Sequence, residues 1–424
     1  MDTLPLPARP NLPDYTKLAE GLTEATRSEN ASAVKGFCND WLGEIVRVSG
    51  PDLTDFVQGS WERAIGEVEK AAIEMSEKAG DDGEGLTLAG AQFLIARAHS
   101  FESWDAFARF VEKDTRETDA GAEFEIAADA VVDGDLPTLE ALLRANPALA
   151  HAHSARIHRA TLLYYLAANG IEDFRQRSPA NAPEIARRLL DAGAEVDALC
   201  GPGDSGDTPM LALVTSVHPH YRGVATELIE IFVEAGSKVD GVKNDGAPVR
   251  LALKFGYPES AAALVRLGAE VKNVAMAAGL GRLDLTTEFV EERGVSEAEL
   301  AAAFEDACRF GRTDIAEYLL GKGVDVDEQA TWKMTGLMWA ASQGHPDTMD
   351  LILDHGPLLE LRNEFGGTAM GTTLHFAINL PRPGADYPAV IDRLLNAGLK
   401  FEGTRKGTGL DDIDAVLRRH GKID

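Results

Sequence analysis

Two neighbouring stretches of the sequence decide the fold: EYLLGKGVDVDE (residues 317–328) and TGLMWAASQGH (residues 335–345). In the first, an apolar pair lies just ahead of Gly323, and glycine suits the left-handed conformation that closes a helix. In the second, Thr335 is a residue type that caps helix starts, and the small residues after it allow close contact between helices. Together they predict a helix that ends at a glycine, a link, and the start of another helix.

Both stretches recur along the chain. The first has four further copies, each with an apolar pair, two residues, a glycine and a polar tail: RRLLDAGAEVDA (187–198), EIFVEAGSKVDG (230–241), AALVRLGAEVKN (262–273) and DRLLNAGLKFEG (392–403). The second recurs as TPMLAL (208–213), APVRLALKFG (247–256), DACRFG (306–311) and TTLHFAI (372–378). The repeating unit is therefore a helix, a short loop, a second helix and a glycine stop, with a period of about 33 residues.

This unit resembles the ankyrin repeat, whose first helix has a TPLHxAA-type pattern and whose second has a VVxxLLxxGA-type pattern. The resemblance covers roughly residues 122–421, in at least eight degraded copies and a C-terminal half-repeat, GLDDIDAVLRRHG (409–421). In the first copy, Asn146 takes the place of the closing glycine, and asparagine also tolerates the left-handed conformation. The resemblance implies an all-α solenoid in which some links form short β-hairpin fingers that reach sideways.

Three repeats carry extra residues between their two helices. A regular copy spans 21 residues from the threonine position to the closing glycine, as from Thr335 to Gly356. The second, third and eighth copies span 32, 28 and 26 residues, counted from Thr161, Thr208 and Thr372. The links into the fifth and sixth copies are too short for full fingers, so we expect helices to dominate the middle of the array.

Residues 1–118 precede the array, and we predict a separate helical domain there, with three helices before residue 79. Residues 86–112 resemble a helical preamble found ahead of ankyrin arrays in a set of bacterial proteins, with the pattern AQxxIARxxGFxSWxxF. It is matched by Ala91, Gln92, Ile95, Ala96, Arg97, Phe101, Ser103, Trp104 and Phe107. Ser100 replaces its glycine. We expect this domain to cover the apolar face of the first repeat; a second recognition module is the alternative.

Charge and composition limit the partners and the setting of this chain. It carries 41 Lys and Arg against 69 Asp and Glu, a net charge of −28. A field of this sign repels nucleic acid and anionic membrane surfaces and attracts basic partners. The sequence holds no long unbroken apolar segment and starts without a basic and apolar leader. Cys38, Cys200 and Cys308 lie far apart, so we expect a reducing, cytoplasmic setting without disulfides.

The motifs of known chemistry are missing from the sequence. It has no GxSxG, HExxH or GxxxxGK[ST] motif, and GPGDSG (201–206) matches GxGxxG only within a link. We therefore expect no enzyme activity, no cofactor and no resident metal. A metal or enzymatic role for the loop histidines is the alternative. His218 and His220 flank a proline, and HAHSARIH (151–158) adds three more, although zinc needs three or four ligands held together.

Two apolar groups are candidate partner contacts. Phe255, Leu280 and Phe310 occupy equivalent positions just ahead of the loop glycine in the fourth, fifth and sixth repeats. If exposed, they form an apolar ridge; the alternative is that they pack against the adjacent repeat. Trp332 and Met334 lie in the predicted finger ahead of the seventh repeat, and a tryptophan at a projecting tip is a common anchor for a partner.

The inserted segments form a second candidate contact surface. SVHPHYRG (216–223) fills most of the excess in the third repeat, and IEDFRQRSPAN (171–181) fills that in the second. Since the two repeats are neighbours in the stack, we expect both segments at one edge, on the side away from the fingers. This surface would contain His218, His220, Tyr221, Phe174 and Arg175.

These patterns favour recognition over catalysis. An ankyrin solenoid is a rigid platform with an extended concave face, so the resemblance implies a scaffold that binds a protein partner, one that is basic or has an apolar anchor. An acidic inhibitor that blocks a basic, nucleic-acid-binding effector is the alternative. The sequence leaves the oligomeric state open.

Overall fold

The computed structural model describes residues 4, 6, 10–28, 30, 32–49, 55–78, 85–114, 120–167, 177–201, 206–382, 384–401 and 407–423. Every regular element in these residues is helical, and β-pairing among them is limited to two isolated antiparallel bridges, His153–Thr161 and Cys200–Asp207. No described helix is long and apolar enough to cross a membrane. The chain divides into two compact units, Met1–Leu251 with Arg266–Gly268, and Ala252–Val265 with Ala269–Asp424.

Five helices precede the repeats, and the first three lie where the apolar spacing predicts them. They are α1 (Leu12–Arg27), α2 (Ala33–Ser49), α3 (Asp55–Lys78), α4 (Leu88–Ala98) and α5 (Trp104–Asp114). Their apolar faces share one buried core, which includes Leu22, Leu42, Val68, Ile95 and Phe107. The predicted domain boundary falls at residues 115–119, outside the described part of the chain, and stays a prediction.

A tight turn joins α4 to α5. The Phe101 amide donates to the Ala96 carbonyl at 2.8 Å, and the Ser100 amide donates to the Arg97 carbonyl at 2.9 Å. Ser100 has a φ of 62°, a left-handed conformation that residues other than glycine adopt at a cost. The helical preamble that this region resembles has a glycine here, so the turn forms in spite of the substitution.

The first unit continues with three repeats. Their helices are α6 (Ala120–Asp133), α7 (Leu136–Ala145), α8 (Leu162–Ala167), α9 (Ala182–Asp191), α10 (Pro209–Thr215), α11 (Val217–Arg222) and α12 (Ala225–Glu234). The first helices of the repeats, α6, α8 and α10, pack in a row, and the second helices α9 and α12 pack against each other. The fourth repeat, α13 (Ala247–Lys254) and α14 (Pro258–Arg266), contains the boundary between the units.

The second unit holds the fifth to eighth repeats and the half-repeat. Their helices are α15 (Val274–Gly279), α16 (Leu283–Glu288), α17 (Glu297–Arg309), α18 (Thr313–Gly321), α19 (Gly336–Gln343), α20 (Pro346–Asp354), α21 (Ala369–Asn379), α22 (Tyr387–Asn396) and α23 (Asp411–Arg419). The first helices α15, α17, α19 and α21 pack in one row, and the second helices, ending with α23, pack in another. Between the rows lies a core that includes Phe304, Met338, Trp339, Met370 and Val390.

The helix ends confirm the predicted caps. Thr208 Oγ1 accepts the Leu211 amide at 3.3 Å, and Thr335 Oγ1 accepts the Met338 amide at 3.2 Å. After α18, Gly323 has a φ of 91°, which only glycine adopts without strain. The repeating unit of two helices and a glycine stop therefore forms as its sequence pattern predicts.

Two predicted details of the first unit differ in the structure. The insertion of the third repeat is not a loop but the short helix α11, which Gly223 closes with a φ of 77°. Asn146 at the end of α7 has a φ of −139°, so the left-handed conformation expected there is wrong. Its Nδ2 instead donates to Glu123 Oε2 at 2.7 Å, because a side chain on the same repeat offers it a charged acceptor.

The eighth repeat begins earlier than its sequence pattern suggests. The N-cap of α21 is Thr368, whose Oγ1 accepts the Gly371 amide at 3.5 Å. Thr372, from which the repeat was counted, lies inside the helix, where its Oγ1 accepts Asn363 Nδ2 at 3.0 Å. The extra residues of this repeat do lie between its two helices, at 380–386.

Candidate partner-binding site

The link between α18 and α19 carries Trp332 on a strained turn. Trp332 and Lys333 have φ values of 56° and 52°, which a bulky residue adopts only where the surrounding structure enforces them. Here the Trp332 carbonyl accepts the Glu364 amide at 2.9 Å, and the Thr331 amide donates to Glu305 Oε2 at 2.9 Å. These bonds hold the backbone at the tryptophan from two directions.

Trp332 and Phe365 form an exposed aromatic patch, which we call the finger patch. Their ring centroids are 6.5 Å apart, and the two residues keep 46% and 75% of their surface exposed. Trp339 on α19 is 1% exposed, and its ring centroid lies 5.9 Å from that of Trp332. A buried indole therefore supports an exposed one, and the patch spans the links of two consecutive repeats.

Phe365 is absent from the predicted contacts, although the sequence holds a signal for it. Trp332 lies three residues before the capping Thr335, and Phe365 lies three residues before the capping Thr368. The two aromatics therefore occupy equivalent positions in consecutive repeats. Counting from Thr372 hides this equivalence, because the true helix start lies one turn upstream.

Met334 belongs to the core rather than to the finger patch. It is 4% exposed and packs within the core of the second unit. It directly precedes the capping Thr335, and a side chain at that position often packs against the fourth helical residue, here the buried Trp339. The structure therefore corrects the prediction that Met334 contacts a partner, since its side chain is sealed from the surface.

The predicted ridge in the second unit is partly packed. Phe255, which follows α13, is 46% exposed, whereas Leu280 and Phe310 are half-buried. A β-carbon built on Gly279 would lie 3.5 Å from Phe310 Cδ2, so this ring packs against the preceding repeat. Phe255 is therefore open to solvent, as an exposed ridge requires, whereas Phe310 packs against the adjacent repeat, as the alternative states.

The second candidate surface is described only in part. Phe174 and Arg175 lie outside the described residues, so their place beside α11 stays a prediction. On α11, Tyr221 is 93% exposed, while His218 and His220 are half-buried. The described half of this surface therefore offers one fully open aromatic side chain.

Within the described part of the chain, the histidines of α11 do not complete a metal site. The described residues hold no group of three or more His, Cys, Asp or Glu side chains that could hold a metal ion. His220 Nδ1 donates to the Ser216 carbonyl at 2.7 Å. Burial lowers the pKa of His218 to about 4, so its ring is neutral at neutral pH. Two imidazoles fall short of the three or four ligands that zinc needs.

The end of α17 places charged groups beside Trp339. Arg309 is 9% exposed, and its Cζ lies 4.7 Å from the Trp339 ring centroid, a cation–π contact. Its Nη2 donates to the Lys254 carbonyl at 2.9 Å. One turn earlier, burial raises the pKa of Asp306 to about 7, and the nearby Arg309 guanidinium opposes this rise. A buried cation and a carboxyl that is partly protonated at neutral pH thus share this helix end.

Known proteins and a family model that resemble this chain contain ankyrin repeats. A family model for ankyrin repeats, in three copies, matches residues 304–402, which include the finger patch. The ankyrin repeat and KH domain-containing protein mask-1 of Caenorhabditis elegans is 23% identical over 259 residues, 58% of this chain and 9% of that protein. This chain thus matches under a tenth of the length of that relative. The crystal structure of the human ASB11 ankyrin repeat domain is 22% identical, with a TM-score of 0.33, over 64% of this chain and 96% of that one.

Proposed function

Because this chain is an ankyrin-repeat protein, we propose that it binds another protein through the finger patch, without catalysing a reaction. Ankyrin repeats are generally modules for protein–protein interaction. The observation that carries the proposal is the exposure of Trp332 and Phe365 at equivalent positions of two consecutive links. Exposed aromatics that lie side by side on a folded surface are typical of a contact site.

Both aromatics suit a binding hot spot. Tryptophan is among the residues whose truncation costs the most binding energy, typically about 2 kcal/mol or more. The backbone around Trp332 is already fixed by its bond to the Glu364 amide, and its ring rests near the buried Trp339. A partner therefore meets a side chain that loses little conformational entropy on binding.

The partner that fits this patch has a basic surface around an apolar anchor. The exposed Glu328 and Glu364 lie in the same two links as the finger patch, together with the exposed Lys333 and Arg362, so the preference for a basic partner rests on the net charge of the whole chain, −28. Complementary charge raises the association rate more than it raises affinity. We therefore expect salt to slow association with the partner more than it speeds dissociation.

The proposal is tested with the partner captured by the full chain, identified by mass spectrometry and purified. Trp332→Ala and Phe365→Ala should each raise the dissociation constant at least about tenfold. Phe93→Ala is the matched control, because Phe93 is an aromatic on α4 that is 43% exposed. It should leave binding unchanged.

Two results would contradict the finger patch as the contact surface. One is a Trp332→Ala, Phe365→Ala double variant that melts and binds like the wild type. The other is loss of binding in Tyr221→Ala alone, which would move the contact to α11 in the first unit. A circular dichroism spectrum of each variant separates lost contact from lost fold.

A second candidate function is inhibition of a basic effector, which the net charge of −28 favours. If the purified partner acts on nucleic acid and an equimolar amount of this chain blocks that activity, inhibition is the function. A partner that keeps its activity inside the complex supports a scaffold instead. Both outcomes share the same finger-patch contact, so the activity assay, not the binding assay, decides between them.

A further inference from the structure

Two arginines that are far apart in the sequence of the second unit both lie beside the turn at Gly256. Arg309 ends α17, and Arg382 lies in the inserted link between α21 and α22. A β-carbon built on Gly256, in the turn after α13, would lie 2.9 Å from Arg382 Nη2 and 3.4 Å from Arg309 Nη2. The Arg382 backbone amide donates to the Tyr387 hydroxyl at 3.1 Å, which holds the link in place.

Three buried donors in this cluster have no acceptor among the described residues. Within the described residues, no hydrogen-bond partner exists for Arg309 Nε, Arg382 Nε or Trp339 Nε1. Arg309 and Trp339 are 9% and 1% exposed, and the Arg309 guanidinium lies over the Trp339 ring. A buried donor without an acceptor destabilises the fold, and more so when it is charged. Three together indicate a place for an acceptor that the described residues do not supply.

Nearby carboxylates do not fill that place. Asp306 lies three residues before Arg309 on α17, and Glu305 lies four residues before it. Glu305 Oε2 accepts the Thr331 amide, and among the described residues neither arginine forms an ion pair within 4.0 Å. In an acidic chain, two adjacent guanidinium groups without a bonded carboxylate are unusual, because each cation gains from an acidic partner.

We propose that Arg309 and Arg382 bind a carboxylate that comes from outside the chain. A planar guanidinium matches a carboxylate with two parallel hydrogen bonds, and the indole N–H of Trp339 is a third donor in the cluster. The neighbouring Asp306 and Glu305 disfavour an anion of higher charge, such as a phosphate dianion. This inference does not rest on the finger patch, which lies on the links rather than at the helix turns.

The test is a titration of the ¹⁵N-labelled full chain with sodium acetate, against sodium chloride at equal ionic strength. We expect saturable shifts of the Nε–H signals of Arg309 and Arg382 and of the Trp339 indole signal, assigned with single-residue variants. Arg382→Gln should weaken acetate binding at least about tenfold. Arg362→Gln, which changes an exposed arginine in the link that carries Phe365, should bind acetate as the wild type does.

Several results would overturn the proposal. If the acetate-induced shifts never saturate, or if they persist unchanged in Arg382→Gln, the two arginines do not bind a carboxylate. Ordered water is then the acceptor. Saturation by sodium phosphate but not by acetate overturns the choice of a carboxylate. Arg309 is buried and its substitution can disturb folding, so the half-buried Arg382 carries the test, with the melting temperature as a check.

Two sources of carboxylate share this chemistry, and competition separates them. If the purified partner of the finger patch displaces acetate, an acidic side chain or the C-terminus of that partner occupies the site. If the partner and acetate bind together, the ligand is a free small carboxylate; both results support the proposal. Phe365→Ala should weaken partner binding at least about tenfold and leave acetate binding unchanged, so the two proposals can fail separately.

Discussion

The two units each bury an arginine, and they treat its charge in opposite ways. In the first unit, Arg156 is 1% exposed, and its Nη2 lies 2.9 Å from Glu125 Oε2. In the second, Arg309 is 9% exposed and lies over Trp339, and among the described residues its side chain bonds only the Lys254 carbonyl. One buried cation is therefore paired within the fold, whereas the other keeps a donor without an acceptor among the described residues.

The surroundings of Arg156 explain why its charge is paired. It lies in the link ahead of α8, and Glu125 lies on α6, so the pair joins a link to the first repeat. Ser154 Oγ, in the same link, donates to Glu125 Oε1 at 3.4 Å. The next residue, Ile157, donates its amide to the Ser100 carbonyl at 2.7 Å. This link therefore ties the first repeat to the α4–α5 turn, while the role of the N-terminal helices as a cap stays a prediction.

Breaking the pair in the first unit should have the largest effect on stability. Glu125→Gln leaves the Arg156 charge buried without the carboxylate that it bonds, which costs about 3–5 kcal/mol. Arg309→Met removes a charge that bonds no carboxylate among the described residues and keeps an apolar contact with Trp339, so it should cost about 1 kcal/mol. Urea unfolding of the full chain, followed by circular dichroism, measures both changes.

A surface pair gives the matched control for this comparison. Arg187 Nη1 lies 3.3 Å from Glu227 Oε1, and both side chains are about half exposed, at 53% and 51%. Arg187→Gln should change the free energy of unfolding by less than about 1 kcal/mol. If Arg309→Met destabilises the chain as much as Glu125→Gln does, Arg309 is also structural and the contrast between the units fails.

The helices and caps of both units could be predicted because their signals are local. Thr335 and Gly323 mark a helix start and a helix end through their own side-chain and backbone chemistry. The start of α21 was harder, because Thr368 and Thr372 both suit an N-cap and only the fold selects the first. Counting the repeat from Thr372 instead of Thr368 also hides the equivalence of Phe365 and Trp332.

The arginine site could not be predicted, because no sequence period relates its members. Arg309 ends a helix of a regular repeat, whereas Arg382 lies in an insertion. Only folding brings both guanidinium groups to Gly256. Met334 was predicted at the surface for a similar reason: its place in a link indicates exposure, but its packing in the core depends on tertiary contacts.

The stability of the second unit should depend on pH through Asp306, which lies three residues before Arg309. Burial raises the pKa of Asp306 to about 7 in the folded chain, from the ordinary aspartate value of 3.8. Folding therefore favours the protonated form, and the penalty for ionising it is absent below about pH 4 and complete above about pH 7. Asp306→Asn should raise the free energy of unfolding by about 1–2 kcal/mol at pH 8, after allowance for partial exposure, and by little at pH 4.

Urea unfolding of wild type and variant at the two pH values checks this prediction. The matched control is Asp354→Asn, which removes an exposed carboxylate at the end of α20 and so the same formal charge. An Asp306→Asn variant that is equally stabilised at pH 4 and pH 8 would show that packing, not ionisation, causes the gain. Loss of stability at pH 8 would mean that Asp306 is the working counter-ion of Arg309, which would weaken the case for an external carboxylate.

Both units contain a strained turn, and relieving the strain in the first unit should change stability the least. Ser100 and Trp332 both have left-handed φ values, 62° and 56°, but only Trp332 presents an exposed ring. Ser100→Gly should relieve about 1–2 kcal/mol of strain and lose about 0.5–1 kcal/mol to the greater entropy of unfolded glycine, a net gain of about 0.5 kcal/mol. Thermal unfolding measures this gain, and binding at the finger patch should not change. A destabilised Ser100→Gly would show that the serine side chain supports the turn, and that the first unit, like the second, keeps a strained residue for the sake of its side chain.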